Sequence, residues 1–197
     1  CMSLRIYQIS FDDFMELLAL YKHEKDKNIW SLVSGIFSTM YKIFPDKNLG
    51  LFIGKFCEPS LEVLGKEYNE NSSQEESQLR SIVCGLYAKY SSDKEFNNYF
   101  VDLFESNKYE EYNDGNYYNL VLSIAGMDQS VSVTKYLDKF IEAETPQIEG
   151  RYRSMLWGLC DPKTPKTVLN AILEGTIRGA DAPYIISGLI SHTENGE

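Results

Sequence analysis

From Ser10 onward apolar residues recur at i, i+3, i+4 and i+7, so that Phe11, Phe14, Met15, Leu18 and Tyr21 fall on one stripe. A period near 3.6 is that of an amphipathic helix with one face in a core. Ser10 supplies a capping hydroxyl, and Asp12 and Asp13 place negative charge in the first turn, where it complements the helix dipole. The polar run from His23 to Asn28 predicts a short connection. A second helix follows, carrying Ile29, Trp30, Val33, Ile36, Phe37, Met40 and Phe44, and Pro45 marks its end.

The same two-beat pattern predicts a helix over about 48–68, kinked or split by Pro59, then a Ser/Glu-rich loop over 69–76. Beyond it a helix carries Leu79, Ile82, Val83, Leu86 and Tyr87. Further helices are predicted at 94–105, 116–125, 130–142, 149–159, 165–173 and 182–191, joined by short segments holding Asp, Gly, Pro, Ser or Asn. No strand alternation extends beyond a few residues, and Asp114-Gly115 stands between helical patterns rather than between β-type runs. The class is therefore all-α. Helices this short with connections this short must pack on their chain neighbours, which predicts antiparallel pairs stacked into a curved HEAT/armadillo-like superhelix. A compact irregular bundle is the competing arrangement, because no strict sequence period repeats. Residues 1–197 are read as a single helical domain.

Composition adds to this picture mainly by exclusion. An apolar fraction of 43% with fourteen Tyr and ten Phe suits a packed core, not a disordered chain. The net charge of −10 repels phosphate backbones and anionic headgroups, and no dense run of Lys or Arg offsets it, so nucleic acid is excluded as a partner class. No stretch approaches the roughly 20 apolar residues of a membrane span. The four cysteines, Cys1, Cys57, Cys84 and Cys160, form no C-x-x-C pair; the last three sit in apolar helical stretches and read as core thiols of a reducing, cytoplasmic protein. Asn71-Ser72-Ser73 has the form of a glycan acceptor, a triplet common by chance in such a loop.

Catalytic chemistry is missing where it would be looked for. Two histidines must lie one helical turn apart to face a single zinc, yet the residue four after His23 is Lys27, and the only other histidine is His192. Neither histidine has partners for activating a Ser or Cys nucleophile, and Gly175-Thr176-Ile177-Arg178-Gly179 lacks the Lys-Ser/Thr of a phosphate loop. The many carboxylates read as solvated helix faces and loops.

Several segments in order carry a resemblance. They are Ile9-Ser10-Phe11-Asp12-Asp13-Phe14-Met15-Glu16-Leu17-Leu18, then Tyr21-Lys22-His23-Glu24-Lys25-Asp26 leading to Trp30, Leu79-Arg80-Ser81-Ile82-Val83, and Asn119-Leu120-Val121-Leu122-Ser123-Ile124-Ala125-Gly126. The most specific is Ile177-Arg178-Gly179-Ala180-Asp181-Ala182-Pro183-Tyr184, with Ala180 where Gln is usual, and Ser191 to Gly196 resembles the Asn-Pro-x-Gly turn that precedes the next helix of the family. Together they resemble the C-terminal helical region of zinc aminopeptidases of the aminopeptidase N and puromycin-sensitive type.

The resemblance implies a noncatalytic domain, with zinc and the general-base Glu in a preceding catalytic domain, an intramolecular partner. No cofactor is expected in this chain; zinc is expected in the parent enzyme. The helical domain of such enzymes closes over the active site and encloses a peptide chamber. Tyr41 and Lys42 stand where related enzymes have a chamber-lining Tyr-Lys pair, so Lys42 is expected to meet a peptide carboxylate; the competing reading is a solvated pair at a helix end. Trp157 and Asp161 are similarly expected to face the chamber, although the second position is often basic in relatives. Trp157 also fits a core position beside Leu156 and Leu159. The alternative function is a freestanding helical scaffold that binds a protein partner.

Overall fold

The computed structural model describes residues 10–191, and every regular element among them is helical, with no strand. Cys1, Ile9, His192 and the closing turn to Gly196 lie outside the described residues. By contacts the chain divides into two compact units, Cys1–Phe96 with Glu110–Leu120 and Asn97–Tyr109 with Val121–Glu197.

The first unit holds α1 (Phe11–Ala19), α2 (Lys27–Ile43), α3 (Lys47–Leu64) and α4 (Gln74–Tyr90). Each begins on an oxygen-bearing side chain that takes up a backbone N–H no helical carbonyl can reach. Ser10 Oγ accepts from Asp13 at 3.0 Å, Asp26 Oδ1 from Asn28 at 2.7 Å, Asp46 Oδ1 from Asn48 at 2.7 Å and Ser73 Oγ from Glu76 at 3.1 Å. The apolar stripes then meet in one core. Trp30 and Phe37 both present edges to Phe56, at 5.5 and 5.1 Å between ring centroids, and Ile53, Cys57 and Val83 are fully buried beside them. Burying each such aromatic or aliphatic side chain contributes about 1.5–3 kcal/mol.

α3 and α4 run antiparallel. Near one end a Cβ on Gly54 would stand 3.2 Å from Ser91 Cβ, so the bare glycine lets the two chains approach closely. Near the other end Arg80 Nε donates to Leu64 O at 3.1 Å. α3 passes through Pro59 without dividing. Proline removes one helical bond, whereas a split would expose orphan groups at two new ends; Phe56, Cys57 and Ser60 around it stay buried.

α4 starts five residues before Leu79, inside the stretch whose polarity predicts a loop. Arg80 explains the stability of that start. Its side chain is 2% exposed and its Nη2 donates to Ser72 Oγ at 3.0 Å and to Glu76 Oε1 at 3.2 Å, tying the loop to the first turn.

Both units take residues from α5 (Lys94–Glu105) and α6 (Gly115–Ala125), and a 3-10 turn spans Lys108–Glu111. The second unit adds α7 (Val133–Ile141), α8 (Pro146–Met155), α9 (Thr164–Leu173) and α10 (Ala182–Ser191). Its core is aromatic and internally hydrogen-bonded. Tyr136 stacks on Phe104 at 4.5 Å and donates to Leu122 O at 2.6 Å, while the hydroxyls of Tyr109 and Tyr152 meet at 2.6 Å. Those partners make burial of the phenolic oxygens tolerable.

Candidate functional site

The positions expected to face a substrate lie in different units, so each is described by itself. Tyr41 and Lys42 belong to the last turn of α2, in the first unit. Tyr41 is half-buried because its ring packs at 4.8 Å against Tyr90, the last residue of α4. Lys42 is exposed and forms no ion pair among the described residues. Sequence reasoning missed a second ammonium: Lys89 Nζ stands 5.4 Å from the Tyr90 ring centre. Lys89 and Lys42 are far apart in the chain, and only the packing of α4 against α2 relates them through the two tyrosines. An exposed ammonium such as that of Lys42 or Lys89 can meet a carboxylate by a charge-assisted hydrogen bond.

Trp157 and Asp161 lie in the second unit, past the end of α8. The helix pattern predicts α8 over 149–159, whereas the structure places it at Pro146–Met155, capped by Thr145 Oγ1 with Pro146 in its first turn. Proline at that position forfeits no helical bond. Trp157 therefore sits on the turn after the helix, half-buried. A Cβ on Gly188 would fall 2.3 Å from its Cγ, so the indole lies on bare α10 backbone that only glycine leaves open.

Asp161 is 7% exposed and its carboxylate is turned to backbone. Oδ2 accepts Val133 N–H at the start of α7 and Oδ1 accepts Lys163 N–H, both at 2.9 Å. Its own carbonyl accepts Thr164 N–H at 2.9 Å, at the start of α9. Asp161 thus joins the beginnings of two helices, a role that reading carboxylates as solvated surface does not reveal.

The segment Ile177 to Pro183 has a comparable explanation. Ile177 is buried, and Asp181, 6% exposed, accepts from Arg178 Nε at 3.1 Å and pairs with Arg153 of α8. Arg178 also pairs with Glu149. The motif is a charged clamp between α8 and the turn into α10. Ala180, where Gln was expected, is exposed and takes no part in it.

No three His, Cys, Asp or Glu side chains gather to hold a metal ion among the described residues. His23 is exposed, and Lys27, at the position a second ligand would need, is engaged with Gln78. The described residues do not fit zinc. No described helix is long and apolar enough to cross a membrane.

The model of a family described as the ERAP1-like C-terminal domain matches residues 4–197. No curated protein matches the chain, and no solved structure does.

Proposed function

We propose, on the premise that this chain belongs to the ERAP1-like C-terminal domain family, a noncatalytic C-terminal domain of M1-family aminopeptidases, that it encloses the peptide in an enzyme removing N-terminal residues. The observation that carries this reading is the family match along residues 4–197. On this reading zinc and the general base belong to a catalytic domain of the parent protein. Within this chain, Tyr41 and Lys42 contact the peptide, and Lys42 meets its C-terminal carboxylate, an interaction that the exposure of its ammonium permits. In the second unit, Trp157 contacts peptide with the uncovered part of its indole. Asp161 acts as a positioning residue for the segment after Trp157, since its carboxylate is occupied by the Val133 and Lys163 N–H groups. The buried, unbridged thiols of Cys57 and Cys84 support a cytoplasmic setting.

The test is a kinetic comparison in the full-length enzyme. Lys42→Ala is expected to raise KM several-fold for long peptides with a free C-terminal carboxylate. It should leave the same peptides bearing a C-terminal amide, and short aminoacyl reporters, unchanged. An equal effect on acid and amide peptides removes Lys42 from the carboxylate site.

A further inference from the structure

In the first unit, away from Tyr41 and Lys42, a groove of about 510 Å³ runs between the α1–α2 turn, the C-terminal half of α3 and the first turns of α4. Its apolar strip is formed by Pro59, Val63, Leu64 and Leu79. Val63 is 77% exposed, so no described residue removes its side chain from water. Glu24, Glu75 and Glu76 edge the strip, against a single ammonium, Lys25.

The three carboxylates are not equivalent. Glu24 Oε1 accepts the N–H groups of Lys25 and Asp26 at 2.7 and 3.0 Å, and Glu76 Oε1 is held by Arg80 and Ser72. Glu75 is exposed and forms no hydrogen bond or ion pair among the described residues. An apolar strip edged by such a carboxylate complements a side chain with an aliphatic stem and a cationic head. Lysine or arginine lays its methylenes on apolar surface while its head stays at the water boundary, where a carboxylate can meet it. An acidic segment would meet a like charge at Glu75 instead.

We propose that this groove docks a basic, partly apolar polypeptide segment, with Val63 receiving the aliphatic stem and Glu75 the cation. The site does not depend on the chamber reading of Tyr41 and Lys42.

The test titrates the isotopically labelled chain, followed by amide chemical shifts, with an octapeptide of alternating leucine and arginine. Acetyl and amide groups block its ends, so no free carboxylate is offered to Lys42. The largest shifts are expected over 23–25, 59–64 and 73–79. Glu75→Lys and Val63→Ser change exposed side chains, so their spectra away from the groove should match the parent chain, and each should weaken binding about three- to tenfold. A peptide with glutamate in place of arginine should not bind. The proposal is overturned if the shifts centre elsewhere or if both variants keep the parent affinity. It is equally overturned if spermidine reproduces the peptide's shifts at the same concentration, since carboxylates alone would then account for binding.

Discussion

Cys57 and Cys84 lie inside the first unit, and burial pushes both thiols from 9.0 up to about 12. At Cys57 the neighbouring Cys84 and Glu58 add to the shift, whereas at Cys84 the Arg80 guanidinium works against it. The folded chain therefore keeps these thiols protonated at a pH where the unfolded chain releases its protons. Stability is fully present below pH 9 and falls as the pH rises toward 12, because folding then carries a protonation cost. In the presence of reductant, the urea midpoint should decline from pH 9 to 10, and less steeply in the Cys57→Ala/Cys84→Ala double variant than in the parent chain. Equal slopes in the two chains would show that other groups carry the decline. Burial also pushes Tyr87 up to about 12 and Tyr136 well above the usual phenol range; their contributions set in as unfolded phenols ionise near pH 10, at the top of this window, so the comparison with the double variant is what separates the thiols from them. The apolar surroundings of these cysteines were legible in the sequence. Arg80, Asp161 and Asp181 were not, because a charged residue in a polar stretch looks the same whether it is solvated or buried against backbone from a distant part of the chain.

Among the elements, those whose ends are written locally were read best. α5 and α10 occur at the predicted bounds, and α1 begins at the predicted Ser10 cap. The start of α4 was missed because Gln74, Glu75 and Glu76 are polar on every side, and their helix is secured by the Ser73 cap and the buried Arg80. The 3-10 turn at Lys108–Glu111 had no periodic signal, although Tyr109 within it is fully buried. Pro59 carries the converse lesson, since a local breaker was overruled by the packing on either side of it. Pro59→Ala restores the amide donor and relieves the ring's clash with the preceding turn, worth up to about 3 kcal/mol, while it returns about 0.4–1 kcal/mol of chain entropy to the unfolded state. A net gain of roughly 1–2 kcal/mol is expected in denaturant unfolding. A loss would mean that the proline ring itself, half-buried in α3, supplies packing that alanine cannot.

For the molecule as a whole, the all-α class followed from periodicity and short connections, while the family followed from ordered segments that are individually unspecific. What local pattern could not decide is whether Trp157 serves the core or a substrate wall; its indole packs on Gly188 while part of it stays in water. A purely core tryptophan cut to alanine would cost about 3–5 kcal/mol. With part of the indole already in water, Trp157→Ala should cost about 1–3 kcal/mol. If the exposed part contacts peptide, the full-length enzyme should lose turnover of long peptides more than that of short aminoacyl reporters, which do not extend to the wall. Gly188→Ala supplies the complementary variant: its methyl group enters the space of the indole and forces the ring to move while leaving it present. Both variants should therefore shift long-peptide kinetics in the same direction, with the short reporter little changed. A severe stability loss for Trp157→Ala, with long and short substrates equally affected in both variants, would assign the residue to the core.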